Sequence, residues 1–243
     1  MRVPRIYHPD PINLKTETEL SSDAFQHLIK VLRLNVGDNI VLFNGDGHNY
    51  DASITSIQKK SAHFIATSYQ VNNSESPIRV HLAQVISRGD RMDFVLQKSV
   101  ELGATEITPL FSERCGVKLS GDRLEKKQQQ WQKIVQSACE QCGRSVVPPV
   151  KPAQQLNDFV QSPFEGLKLT LDPTATKPLS SFNDADKGIQ LLIGPEGGFS
   201  EAEVHAAEQH GFKPMRLGPR ILRTETAALS ALTAVQYQFG DLC

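Results

Sequence analysis

Ile193-Gly194-Pro195-Glu196-Gly197-Gly198-Phe199, followed by Ser200, is the stretch on which the reading of the fold turns. Gln190–Ile193 in front of it reads as a short strand, and Glu201–His210 behind it as a helix. Ser200 is placed to cap that helix, with Glu203 three residues on to complete a capping box. Three glycines around a proline let the backbone pass close to a ligand and present its N–H and C=O groups. A second such bend, Leu217-Gly218-Pro219-Arg220-Ile221-Leu222-Arg223-Thr224, leads from the strand Met215–Leu217 into the helix Glu225–Phe239. Either bend alone is also readable as a plain tight turn. In open α/β sheets, however, ligands bind beyond the carboxyl ends of strands, and two glycine-rich bends at successive strand ends point to one shared pocket. Neither bend is a GxGxxG or a Walker A sequence. Glu196 would be a poor neighbour for a pyrophosphate and an acceptable one for a cation.

Upstream the same rhythm continues. Arg79–Ile86 alternates like a strand. Asp90–Leu102 is helical, with Met92, Val95, Leu96 and Ser99 or Val100 on one face and Gly103 just past its end. Thr105–Phe111 is a strand, Asp122–Cys142 a long amphipathic helix, and Leu167–Leu171 another strand, after a Pro148-Pro149 turn and a short helix. Strand and helix in alternation predict a mostly parallel sheet covered on both faces, an α/β fold, over 79–243.

The first 71 residues read differently. Ser21 or Ser22 can cap a helix carrying Phe25, Leu28, Ile29 and Leu32 at helical spacing. Ile40–Phe43 and Ile54–Ile57 flank Asn44-Gly45-Asp46-Gly47, a hairpin signal, and His63–Tyr69 adds a strand. A helix beside a strand cluster predicts a small β-barrel unit over 1–71. Asn72-Asn73-Ser74-Glu75-Ser76-Pro77 has linker composition, which sets the expected boundary at 72–78.

The chain has 243 residues, 39% hydrophobic and 22% charged, as expected for one large and one small globular domain. No run of 18 apolar residues occurs, and the N-terminus lacks a secretory h-region, so a cytoplasmic protein without membrane partners is expected. Four scattered cysteines, Cys115, Cys139, Cys142 and Cys243, do not make a disulfide framework. Cys139 and Cys142 form a CxxC near a helix end. With no second cysteine or histidine pair to complete a zinc site, packing is the expected role and no metal is expected. A net charge of −1 offers no general footprint for nucleic acid, so any basic surface must be local. Arg2, Arg5, Lys30 and Arg33 are the candidate RNA contacts in the N-terminal unit. At the last bend Thr224 is the expected N-cap of the final helix, with Glu225 complementing its dipole.

Taken together, Gln84–Met92 (QVISRGDRM), Gln97–Gly103 (QKSVELG), the GPEGGFS bend and Leu217–Ala228 (LGPRILRTETAA) resemble the RsmE family of 16S ribosomal RNA uridine-N3 methyltransferases, of the SPOUT class. The similarity extends over the whole chain, since Arg2-Val3-Pro4-Arg5 is similar to the start of that family's PUA-like RNA-binding domain. The resemblance implies a trefoil-knotted catalytic domain with S-adenosylmethionine bent in the knot and held largely by main-chain groups. By position, Leu171 would close one side of the pocket, Gly194, Glu196, Gly197 and Gly198 a second, and Leu217, Gly218, Ile221 and Leu222 a third. It further implies a homodimer and, as substrate, a uridine in the decoding region of the assembled small ribosomal subunit.

Methylation at uridine N3 requires loss of the N3 proton, stabilisation of the resulting anion and in-line geometry. Glu225 is the candidate proton acceptor, directly or through water, and Arg223 or Arg88 the candidate anion partner. Arg88 also suits an RNA-phosphate contact. Lys98 and Glu101, three apart, suit a helix-surface pair. Rival readings are a SPOUT enzyme acting on transfer RNA or ribose 2′-oxygen, a non-catalytic RNA-binding assembly factor, and a dinucleotide oxidoreductase. The missing GxGxxG counts against the last.

Overall fold

The structure, a computed structural model, describes residues 3–183 and 185–242. Arg2 and Cys243 therefore lie outside the described residues. The chain forms two compact units. One comprises the chain up to Glu75 together with Cys139–Val147; the other comprises Ser76–Ala138 and the chain from Pro148 onward.

The first unit contains β1 (Arg5–Tyr7), β2 (Glu17–Glu19), α1 (Ser22–Phe25), β3 (Asn39–Phe43), β4 (His48–Ile57) and β5 (Ala62–Val71). The strands make one five-stranded sheet in the order β1-β3-β4-β5-β2. β1 runs parallel to β3 and the other pairs are antiparallel. Its core gathers Ile6 from β1, Phe25 from α1, Leu42 from β3, Ile54 from β4 and Phe64 from β5, with Leu20 and Leu28 packed among them. Ser21 caps α1 as expected, accepting from the Ala24 N–H at 3.3 Å. From Gln26 to Val31 the helix then widens into a π-helix. That wider turn moves the apolar stripe out of phase: Leu28 is fully buried, while Leu32 is 43% exposed. The left-handed backbone of Arg33, φ +58°, ends the segment.

The expected boundary at 72–78 falls differently. Asn72 Nδ2 donates to the Gly143 carbonyl at 2.6 Å, and Glu75 pairs with the buried Arg144 at 2.6 Å. Residues 72–75 thus belong to the first unit, along with a segment some seventy positions later. Their polar side chains satisfy the carbonyls and the guanidinium of that segment, a role that linker composition does not reveal. Arg5 is committed to the same junction: it donates to the Cys139 carbonyl (2.7 Å), the Arg144 carbonyl (2.8 Å) and Ser145 Oγ (2.7 Å) and lies over the Phe43 ring. Contrary to the expected RNA contact, its cation is tied to internal carbonyls. Lys30 and Arg33 do lie exposed. Of the CxxC, Cys139 is buried against the Val146 carbonyl, and burial pushes its thiol up to about 12, which is the inert state expected of a packing cysteine.

The second unit runs β6 (Val80–Val85), α2 (Asp90–Glu101), β7 (Glu106–Phe111), α3 (Gly121–Cys142, its last turn counted with the first unit), β8 (Gln154–Gln155), α4 (Leu156–Gln161), β9 (Leu167–Leu171), β10 (Ile189–Ile193), α5 (Glu201–Gln209), β11 (Lys213–Met215) and α6 (Thr224–Phe239). Six parallel strands are ordered β11-β9-β10-β6-β7-β8. The alternation in β6 does not mark an exposed face, for all six residues are buried, as in the centre of a parallel sheet. Its polar members have internal partners: His81 lies between Gln190 and Thr108, and Gln84 Nε2 donates to Thr224. The last strand ends at Met215, two residues before the expected end, because Leu217-Gly218 already belongs to the bend.

From β6 the chain steps outward to β7 and β8, then returns on the other side of β6 through β9 and β10. The β6–β10 junction is therefore where strand order reverses, the place where open α/β sheets bind ligands. After β11 at the far edge, α6 comes back to pack on α2, β6 and β10. Among the described residues no helix is long and apolar enough to cross a membrane.

Candidate active site

Three chain segments meet beyond the carboxyl ends of β9 and β10. Thr170–Thr174, Ile193–Glu196 with Gly198 and Phe199, and Leu217, Gly218 and Arg220–Thr224 wall a cavity of about 990 Å³, large enough for a cofactor. Of the expected residues it is lined by Leu171, Gly194, Glu196, Gly198, Leu217, Gly218, Ile221, Leu222 and Arg223. Glycine is required at particular points. Gly198 and Gly218 have left-handed backbones, φ +68° and +73°. A Cβ on Gly194 would stand 3.2 Å from the Phe199 ring, so that ring folds down onto bare backbone. Ser200 and Glu203 form the capping box expected at α5, and the other oxygen of Glu203 accepts from the Glu113 N–H at 2.7 Å.

Thr224 does not cap α6. Arg223 occupies the cap position without a side-chain cap bond, and Thr224 is the first helical residue, 4% exposed. Its hydroxyl donates to the Gly194 carbonyl at 2.6 Å and accepts from Gln84 Nε2 at 2.9 Å. One side chain thus ties the end of β6, the bend after β10 and the start of α6 together. The bond satisfies a carbonyl that would otherwise be stranded where three segments cross, which outweighs the capping bond the sequence suggested.

Gly197 departs from the expected wall. A turn closed by the Gly198 N–H on the Pro195 carbonyl puts Glu196 and Gly197 at its tip. Gly197 faces a neighbouring cavity of about 700 Å³, and its carbonyl accepts from Arg114 Nη1 at 3.1 Å. Arg88 lines that second space and not the first. Glu225 is in the wall of neither. Its Oε1 lies 3.9 Å from Arg91 Nε, and its Oε2 is buried with no hydrogen-bond partner.

Arg91 connects these parts, lining both cavities and donating to Glu196 Oε1 at 2.9 Å. Burial opposes ionisation of Glu196. Hydrogen bonds from its own N–H, the Arg91 side chain and the Arg88 N–H outweigh that and hold the carboxyl below the ordinary glutamate range. The cavity therefore offers a fixed anion, apolar faces from Leu171, Leu217 and Leu222, and main-chain groups at glycine bends. That set fits S-adenosylmethionine, a sulfonium cation joined to an uncharged adenine.

Sequence reading missed Arg91, Asp172, Phe199, Met215 and Thr224 as cavity residues. Arg91 stands three positions after Arg88 at the start of α2, beyond the carboxyl end of β6, so the strand-end rule could have found it. Asp172 follows β9 without any glycine and gave no signal.

A family model described as an RNA methyltransferase domain matches residues 74–236, and one described as an RNA methyltransferase PUA domain matches 20–66. Ribosomal RNA small subunit methyltransferase E of Buchnera aphidicola (strain Sg, from Schizaphis graminum) is 40% identical over 242 residues, covering 99% of this chain and 98% of the relative. The chain belongs to the ribosomal RNA small subunit methyltransferase E family. The Bacillus subtilis methyltransferase E is 34% identical over 228 residues, 90% of this chain and 89% of the relative. Among solved structures, methyltransferase E from Neisseria gonorrhoeae, bound to S-adenosyl methionine, is 40% identical with a TM-score of 0.93, and each chain is covered in full. A Legionella pneumophila methyltransferase in complex with SAM is 45% identical with a TM-score of 0.97, again over the whole of both chains.

Proposed function

We propose that this chain methylates N3 of a uridine in the decoding region of 16S ribosomal RNA in the cytoplasm, using S-adenosylmethionine. The observation that carries the reading is the meeting of three strand-end segments around one cavity that contains an ionised Glu196. Relatives at 40% and 45% identity hold the same cofactor.

When bound, the cofactor supplies an electrophilic methyl group on a positively charged sulfur. Leu171, Gly194, Glu196, Gly198, Leu217, Gly218, Ile221 and Leu222 would hold it, with the carboxylate of Glu196 complementing the positive charge. Glu225 accepts the N3 proton through water, a role supported by its buried and unpartnered Oε2. Arg223, at the cavity wall with a guanidinium that has no polar partner among the described residues, stabilises the uridine anion. The working form is a homodimer. Ile221 is 87% exposed at the cavity rim and Tyr237 68% exposed on α6, apolar surface of the kind a partner subunit covers.

Nucleoside mass spectrometry of small-subunit RNA after incubation with enzyme and labelled cofactor tests the reaction. The label is expected in 3-methyluridine. Label in a ribose, in another base or in transfer RNA alone would assign a different reaction.

A further inference from the structure

The second cavity enters the assignment above only through Glu196, and its lining is unusual. Arg88, Arg91 and Arg114 surround it, with Gly89, Asp90, Gly116, Glu196 and Gly197 completing the wall. It is about 700 Å³ and shares Arg91 and Glu196 with the cofactor cavity, so the two spaces lie on either side of the GPEGG turn. The arginines are positioned but only partly engaged. Arg88 donates through Nε to the Gly116 carbonyl at 3.1 Å; neither of its terminal nitrogens has a partner among the described residues. Arg114 uses Nη1 alone, on the Gly197 carbonyl at 3.1 Å and the Phe199 carbonyl at 3.3 Å. Arg91 uses Nη1 on Glu196.

A guanidinium anchored by one nitrogen and open at the others is preorganised to take two oxygens of one anion. Three guanidinium groups against the two carboxylates of Asp90 and Glu196 leave the space net positive in a chain whose overall charge is −1. The glycines around the wall leave room for a ligand to approach the backbone. A Cβ on Gly116 would collide with Arg88, so that side chain lies flat against bare backbone.

We infer that the Arg88–Arg91–Arg114 cavity is a phosphate subsite that seats a phosphodiester of the substrate RNA beside the methyl-donor pocket. The inference rests on the proposed RNA-methyltransferase reading and supplies what that reading lacks, a docking point for RNA on the catalytic unit. The cofactor's own amino-acid carboxylate is the other anion that could occupy such a site, and the two are separable by experiment.

The test uses the full chain, wild type against Arg88→Ala and Arg88→Lys. Binding of a fluorescent single-stranded oligonucleotide of small-subunit RNA is measured over a series of salt concentrations, and S-adenosylmethionine binding by calorimetry. Arg88→Ala is expected to bind the RNA roughly tenfold more weakly at about 0.1 M salt, with the slope of log affinity against log salt reduced by about one, while cofactor affinity is unchanged. Arg88→Lys keeps the charge but not the two-pronged geometry, and should retain the slope while losing part of the affinity. An unaltered salt slope in Arg88→Ala overturns the subsite, as does a loss of cofactor affinity with RNA binding intact, which would assign the cavity to the carboxylate. Should wild type make no methyluridine while the slope still changes in Arg88→Ala, the subsite stands and the proposed reaction falls.

Discussion

Residue by residue, the proposed chemistry centres on two carboxylates that Arg91 joins. Glu196 is at the cavity wall, and hydrogen bonds hold it as an anion. Glu225 has one oxygen 3.9 Å from Arg91 and the other buried and unpaired. A buried acceptor without a donor costs about 1–3 kcal/mol and persists where something else makes use of it, which is the argument for Glu225 as proton acceptor. Glu225→Gln keeps the shape and removes the base. Single-turnover methyl transfer should fall by about 10²- to 10⁴-fold while cofactor affinity measured by calorimetry is unchanged. Weaker cofactor binding with normal transfer in the bound complex would move Glu225 from proton transfer to pocket structure.

At the scale of elements, the crossing of three segments at Thr224 holds the site together. Its hydroxyl bonds both Gly194 and Gln84, linking α6 to the bend after β10 and to the end of β6. Thr224→Val keeps the volume and removes both bonds, stranding a buried carbonyl. The expected result is about 1–3 kcal/mol less stability in urea and a weaker affinity for S-adenosylmethionine. Unchanged affinity would mean that the wall stands without this tie. Most elements were legible beforehand, because strand-to-helix alternation, the Ser200–Glu203 capping box and the two glycine bends are local signals. What was not legible depended on distant partners. Thr224 reads as a cap until Gly194 is placed beside it, and Gln84 reads as one position of an alternating strand until Thr224 reaches it. The phase slip through the π-helix at Gln26–Val31 likewise has no mark in the spacing of Phe25, Leu28, Ile29 and Leu32.

For the molecule as a whole, the division into an N-terminal and a catalytic unit was visible in composition, but its boundary was not. Residues 72–75 and 139–147 join the first unit through Asn72, Glu75, Arg144 and Arg5, and a polar stretch carries no sign of which carbonyls it will satisfy. The proposed homodimer is likewise a property of the whole surface. Light scattering should give twice the chain mass for wild type, and Tyr237→Glu, which puts a charge on the exposed face of α6, should shift the population toward monomer. A wild-type protein that is monomeric at all concentrations would remove the partner subunit from the account. The bends around Gly194 and Gly218 wall one cavity that fits the methyl donor, and titration calorimetry with S-adenosylmethionine is the decisive check on it. Wild type should bind one equivalent per chain, and Gly194→Val, whose side chain would meet the Phe199 ring, should bind far more weakly. Absence of binding to the folded wild-type protein, or equal binding by the valine variant, would contradict it.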